Sequence, residues 1–552
     1  MIRHRWLLFA FFIICTFLWP GNIRAQNEQY KTLQRRYVPI ILKGYQMVVD
    51  RMRTDEWKAF RYQADTNTWH LIPFQVDEVD AKGKYNKEND GIIDTNDEML
   101  FMPGDLGDRA GPSRWLSDAN AQRAERLELA FTDPVDGTQA WAYLYRNVSV
   151  DQQVSGYLDY TPSPDGSAAD TARSIAYNIG HTRAGWIDFI SLSLAAGTNL
   201  VDRLKLRLAG ETFFNNVGAY VFTEDTLNED KATYHPGVIR AFHDEENLLS
   251  VPQLWPTPLN VDYKLHYFPY SFRIGVNDAQ LQSPLLLAMA GLKTFRQSLD
   301  LSEAARGMLF YSEKNTTGVL IDGSPDDVDR ALAQSAGTHW VMASGDLGTI
   351  LMMLEMPEIP GSTTELYYLD QLTSQPLDGT LDTGDGHSFG DMGLWVHGDV
   401  LATDRITMNF TIYLIDQPNL NADFAARLFA WQQQPLTVEM TKQDYPATGV
   451  KDAASAPERF RLFTAYPNPA ARGSKVNFAI ESASRGSFRF AIYNTIGQSV
   501  FAKTIRLRPG QQQVLTWNGR DEFSGQPVPA GIYFYRLLGN GTSTVRKLLV
   551  LP

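Results

Sequence analysis

The chain has one cysteine in 552 residues, Cys15, and it lies inside the N-terminal apolar stretch Trp6–Trp19. Once that stretch is removed no disulfide can form, so stability must come from buried apolar surface or bound metal. Long apolar runs are equally scarce. Trp6–Trp19 falls short of the roughly 20 residues needed to span a bilayer. It is preceded by Arg3 and Arg5 and followed by Pro20-Gly21 and Asn22-Ile23-Arg24-Ala25. This pattern predicts a secretory signal peptide over residues 1–25 and no transmembrane segment in the mature chain. Cys15 follows Phe12-Ile13-Ile14, bulky residues where lipidation needs small ones. A zinc helix of the His-Glu-x-x-His type and a phosphate-cradling glycine loop are also missing.

What is present points to sheets. Among 552 residues are 24 Tyr, 12 Trp, 41 Gly and 28 Pro, and 44% of the chain is hydrophobic. That composition suits short strands joined by tight turns, and the length suits two or three domains. Leu127–Phe131, Trp141–Tyr145 and Met408–Leu414 alternate with period two. The expected class is mainly β: a β-sandwich body over residues 26–445, with a few helices, notably Asp326–Gln334. The polar stretch Thr161–Ser167 offers a division of the body near 165, an exposed loop within one domain being the alternative.

Charge separates this body from the C-terminal region. The net charge is −13, yet residues 456–552 carry 13 Lys/Arg against 4 Asp/Glu and residues 1–25 add three Arg, which leaves −25 on residues 26–455. An acidic body repels nucleic acid, so nucleic-acid binding is set aside. Where the sign changes, Pro446–Val450 and Ala453–Pro457 are small and turn-forming, predicting a linker over 446–458 and a separate C-terminal domain over 459–552. That domain reads as about seven strands, the count of an immunoglobulin-like sandwich.

Its motifs are specific. They run Tyr466-Pro467-Asn468-Pro469, then Gly497-Gln498, then Trp517-Asn518-Gly519-Arg520-Asp521, then Pro529-Ala530-Gly531-Ile532-Tyr533, and end on Lys547-Leu548-Leu549-Val550. With Ile492-Tyr493-Asn494 before Gly497 and Gly525-Gln526-Pro527-Val528 before Pro529, they resemble in that order the C-terminal sorting domain of type IX secretion cargo in Bacteroidota-like bacteria; the second half also resembles the immunoglobulin-like domain of flagellar hook-capping proteins. The resemblance implies an address read by the outer-membrane translocon, followed by cleavage or attachment to surface lipopolysaccharide, and a secreted or cell-surface location.

One segment looks built for a metal. Counting Asn86 as position 1, oxygen side chains fall at Asn86, Glu88, Asp90, Asp94 and Asp97, Gly91 takes position 6, and the Ile92 carbonyl adds another oxygen. This resembles the calcium loops of EF-hands and dockerin modules, with Asn86 and Glu88 as departures, and implies a structural calcium. A second cluster, Asp382 to Asp391 around His387, is read as an Asp/Gly-rich turn with no assignable catalytic role. Two functions remain open: a calcium-stabilised binding or envelope protein that engages an extracellular polymer, or a polysaccharide hydrolase or lyase with its site in residues 170–440. Whether the chain is an enzyme is not settled by its sequence.

Overall fold

The computed structural model describes residues 29–47, 52–80, 85, 91–150, 154–162, 170–182, 186–212, 218–249, 259–279, 291–332, 338–355, 361–373, 382–398, 406–446, 460–482, 485–495, 497–522, 524–539 and 542–552. The linker expected over 446–458 lies outside them except for Pro446. The fold is mainly β, as expected, and its sheets stack into layers.

At the N-terminal end, a three-stranded sheet (Ile40–Lys43, Glu98–Phe101, Gln75–Asp77) covers strands Trp57–Gln63, Arg126–Thr132, Gln139–Arg146 and Thr437–Gln443. Leu42, Met99, Phe101, Leu127, Leu129, Ala142, Leu144 and Met440 fill the space between. The alternation in Arg126–Thr132 is the cause: Leu127, Leu129 and Phe131 face this core, while Glu128 pairs on the other side with Arg109.

The centre holds the largest core. A nine-stranded sheet runs in the order Leu227–His235, Ala241–Leu249, Leu259–Phe268, Ser271–Ala279, Ile406–Ile415, Gly348–Glu355, Trp340–Gly345, Leu309–Ser312, Val319–Leu320. It shares one apolar cluster with a five-stranded sheet ordered Gly218–Thr223, Val201–Thr212, Leu292–Leu301, Ser388–Gly398, Ser362–Gln371. The predicted helix is real but short, Asp327–Ala331, with the Asp326 carboxylate accepting from the Val328 and Asp329 N–H groups. A longer helix, Ala422–Gln433, was not anticipated; it buries Ala422, Ala425, Leu428 and Trp431 and opens on the Asn421 side chain.

The tail forms two facing sheets around its own core. Phe460–Leu462, Val476–Ser482 and Gln511–Trp517 make one; Ser499–Leu507, Gly486–Tyr493, Gly531–Gly539 and Thr542–Leu551 make the other. Phe478 packs on Phe490 and Tyr535 across the gap, with centroids 4.8 Å apart in both pairs. These seven strands match the sequence expectation to within a few residues, and a two-residue strand, Ala470–Ala471, adds a short parallel pairing with the last of them. The tail does not stand apart from the body: Thr542–Leu551 pairs with Thr437–Gln443, at Met440 with Ser543 and Thr441 with Thr542, and so continues the N-terminal sheet.

Candidate functional site

The tail motif is mostly turn chemistry. Asn468 ties the start of the tail to its last strand, its amide donating to the Lys547 carbonyl (2.9 Å) and its oxygen accepting from the Leu549 N–H (3.0 Å). Pro467 and Pro469, on either side, both follow cis peptide bonds. Trp517 is buried, and its indole N–H donates to the Arg520 carbonyl. Gly519 has φ +70°, a conformation only glycine adopts cheaply, and its carbonyl accepts from the Val528 N–H. Asp521 caps the next turn through the Ser524 N–H, the Pro529 carbonyl accepts from the Tyr533 hydroxyl, and Gly531 opens the following strand. Lys547 is exposed. Tyr466, bridged to Asn477 of the three-stranded sheet, is 76% exposed, and Val514 on that sheet is 55% exposed.

In the calcium-like segment, Asn86, Glu88 and Asp90 lie outside the described residues; Ile92, Asp94 and Asp97 lie within them. Gly91 has φ +75°, the reversal the spacing calls for, and Ile92 pairs with Arg53 in a short two-stranded ladder. Asp97 is buried, and its two oxygens accept from the Val79 N–H (2.9 Å) and the Asp94 N–H (2.7 Å). Burial pushes its carboxyl up to about 6. The Asp94 carboxylate accepts from the Asn96 N–H. Each engaged oxygen keeps a further lone pair, so the Asp94 and Asp97 carboxylates retain acceptor capacity beyond these backbone bonds. Asp77 belongs elsewhere, paired at 2.5 Å with the buried guanidinium of Arg240, which also holds Glu98.

The strongest ionic constellation is in the five-stranded sheet. Leu204 and Leu206 turn to the core, so Lys205 and Arg207 turn the other way; likewise Leu299 and Leu301 leave Ser298 and Asp300 on the polar face. The register places Lys205 opposite Ser298 and Ser298 opposite Gly393. A side chain at Gly393 would meet the Gln297 carbonyl at 2.2 Å, and Arg296 lies over the Tyr367 ring at 4.3 Å.

Over this face folds the Asp382–Asp391 stretch. The Lys205 ammonium lies 2.6 Å from an Asp300 carboxylate oxygen as an ion pair and donates to Asp382 (2.9 Å) and the His387 carbonyl (2.7 Å). Burial opposes its charge, but Asp391, Asp300 and Asp382 outweigh that and hold the proton more firmly than water does. Burial, followed by the neighbouring Asp391, raises Asp300 well above the carboxylate range. Asp391 is itself raised by burial in spite of Lys205 and Arg296; Ser298 stands beside it, yet neither carboxylate oxygen closes a hydrogen bond of ordinary geometry.

Lys205 is thus held by two hydrogen bonds and one close ion pair, and Lys205, Asp300 and Asp391 are all fully buried. A lysine in that state is a rivet, available neither as base nor as nucleophile. The stretch also spells Gly386-His387-Ser388-Phe389-Gly390, the pattern of a hydrolase nucleophile elbow, which the reading of this segment as a plain turn passed over. The geometry is not that of an elbow: Ser388 opens a strand, is buried, and donates to Asp382 at 2.6 Å. His387 is 44% exposed at its side chain, beside Asp385. Asp202, Asp300 and Asp385 bring carboxylate oxygens within 4.8 Å of one another, with Lys205 and Arg203 already supplying positive charge. Sequence reasoning missed this cluster; its signal was the alternation of charged and Leu residues in Arg203–Leu208.

Residues 464–551 match the family described as the secretion system C-terminal sorting domain. The chain thus carries the tail of type IX secretion cargo and is handled by that machinery for export to the cell surface or the extracellular space. No curated protein matches the chain. Among solved structures, an alpha-mannosidase from Enterococcus faecalis is similar at 10% identity over 89% of this chain and 55% of its own, with a TM-score of 0.34. Dimeric latent PorU from Porphyromonas gingivalis is similar at 12% identity over 74% of this chain and 35% of its own, with a TM-score of 0.17. The chain spans about half the length of the first, and at such scores neither bears on fold or activity. Among the described residues no helix is long and apolar enough to cross a membrane.

Proposed function

We propose that the exported body is a binding or envelope protein that engages an extracellular polymer, braced by a structural calcium in the 86–97 turn and delivered by an immunoglobulin-like sorting tail that the outer-membrane translocon reads. Surface lipopolysaccharide is the proposed attachment point. The observation that favours binding over hydrolysis is the burial of this ionic cluster: Lys205, Asp300 and Asp391 have no exposed surface, and Lys205 is held by Asp300, Asp382 and the His387 carbonyl. A hydrolase needs two carboxylates reaching a substrate, whereas here Asp300 and Asp391 reach only their neighbours.

A panel of insoluble polysaccharides, assayed in parallel for retention of the purified mature protein and for release of reducing ends, tests this. Retention on at least one polymer without release is expected. Release above the blank, abolished by a single Asp→Asn change within residues 170–440, overturns the reading in favour of a hydrolase; the absence of retention on any polymer removes the binding role.

A further inference from the structure

The outer face of the tail's four-stranded sheet is not free. Arg489, Ala491 and Tyr493 on one strand and Phe534, Arg536 and Leu538 on the next meet the 3₁₀ turn Gly44–Gln46 and the loop after Ile93. Tyr45, 2% exposed, stacks on Tyr493 with centroids 5.1 Å apart and lies 5.5 Å from Phe534. This apolar seat is distinct from the tail's own core.

Arg536 is the charged centre of the contact. It is 8% exposed, donates through Nη1 to the Tyr45 carbonyl at 2.5 Å and through Nη2 to the Met47 carbonyl, and is steadied through Nε by the Ser543 hydroxyl at 3.1 Å. The planar fork spans two carbonyls of the body, which an ammonium reaches less well. A second contact comes from a motif glycine: a Cβ at Gly497, where φ is +83°, would lie 2.6 Å from the Thr95 carbonyl, so only glycine permits the tail's turn to sit against the loop. Asp94 and Thr95 line the same cleft as Arg489 and Arg536. Edge pairing at Met440 and Thr441 completes the seam, and the opposite charge of body and tail favours it over distance.

We infer that this seam is a binding interface in its own right, by which the tail stays seated on the N-terminal sandwich after the chain between them is cut. An aromatic stack, a buried Arg and an extended edge are the elements of a noncovalent interface, and here they recur on a surface that a tethered independent domain would leave to solvent. Taken with the reading of the tail as an address, which this inference builds on, the face presented to the export machinery is the opposite one, where Tyr466 and Val514 are exposed.

The test needs no export. A protease site is placed within residues 449–456 of the full mature chain, the purified protein is cut, and the fragments are run by gel filtration at micromolar concentration. Co-elution is expected for the unaltered surface and for Arg506→Ala, an exposed position on the far edge strand. At least tenfold weaker association is expected for Arg536→Lys, which keeps the charge but loses the fork, and for Tyr45→Ala, which leaves the tail's sequence intact. Separation of the unaltered fragments, each still showing β-type circular dichroism, overturns the inference. So does undiminished association in both variants. Because the readout is association, a failure here leaves the sorting role standing, and a failed address leaves the seam standing.

Discussion

The tail and the body bury different things. Among the described residues of the tail, Arg536 is the one buried charged side chain, and the core is Phe, Ile, Leu, Val, Trp and Tyr. The body buries Arg35 with Asp133, Arg240 with Asp77 and Glu98, Lys205 with Asp300 and Asp382, and the imidazoles of His181 and His243. An apolar core is forgiving, because trimming it costs only the lost contact and cavity. A buried ion pair holds while complete and costs heavily when one partner goes, since the other charge is stranded without water. The tail should therefore be robust to change of medium and the body specific but brittle.

The sharpest way to break that comparison is Lys205→Met. Asp382 keeps Arg207 and Ser388, but Asp300 loses the ammonium it faces and is left against Asp391, so a loss of about 3–5 kcal/mol from the body is expected. In calorimetry of the full mature protein the body transition should fall while the tail transition stays. A loss under about 1 kcal/mol would mean that water reaches the cluster and that it is no rivet.

Acid should separate the two regions next. Burial holds His243 down to about 3, with His181 adding to the effect, and burial lowers His181 and His266 as well. An imidazole kept neutral in the fold but free to protonate when unfolded contributes stability that is present above the unfolded value near 6.5 and is lost as pH falls toward 3. Glu98 extends the loss: burial would raise its carboxyl, but Arg240 and Lys43 prevail and hold it at about 2, so its contribution fades from about 4.5 down to 2. Residues 456–552 contain no histidine. Carboxyls that burial raises, such as Asp97 at about 6, act the other way over the upper part of this range. The melting temperature of the body should therefore drop chiefly below about pH 5, where the imidazoles and Glu98 act together, while that of the tail barely moves; a parallel drop in both would deny the contrast.

How far each region could be read beforehand reflects the same difference. The tail was legible because its strand and turn signals are local: Gly519 and Gly531 make turns, Tyr533 and Tyr535 alternate inward, and the last two strands pair as a hairpin. The ionic cluster was not, because Lys205 meets Asp382 across 177 residues, and sheet order is a long-range property that alternation alone does not give. The helix Ala422–Gln433 was readable from the Asn421 cap and the three-residue spacing of its buried positions, but its setting among strands hid it. The seam between tail and body was foreseen by neither linker composition nor charge, since a small-residue connector says how two parts are tethered and nothing of whether they touch.

Calcium gives the smallest expected effect and joins the two regions. The described half of the 86–97 turn is already held without an ion, by Asp97 accepting from Val79 and Asp94 and by the Gly44 N–H donating to the Asp97 carbonyl. An ion would thus brace a formed turn and not create one. At ten times its dissociation constant it would add about 1.4 kcal/mol, a shift of a few degrees, which chelator should reverse. Asp90→Ala is the cleaner probe. Asp97→Ala would also strip two backbone N–H groups of their acceptor and destabilise the body with or without the ion. Because Thr95 abuts Gly497 and Asp94 shares the cleft with Arg536, bracing this turn should also steady the seat of the tail. Calcium should then tighten association of the cut fragments by a few fold in the unaltered protein and not in Asp90→Ala. Titration calorimetry with no heat at millimolar calcium, and melting unchanged by chelator, would leave the turn a polar hairpin that seats the tail unaided.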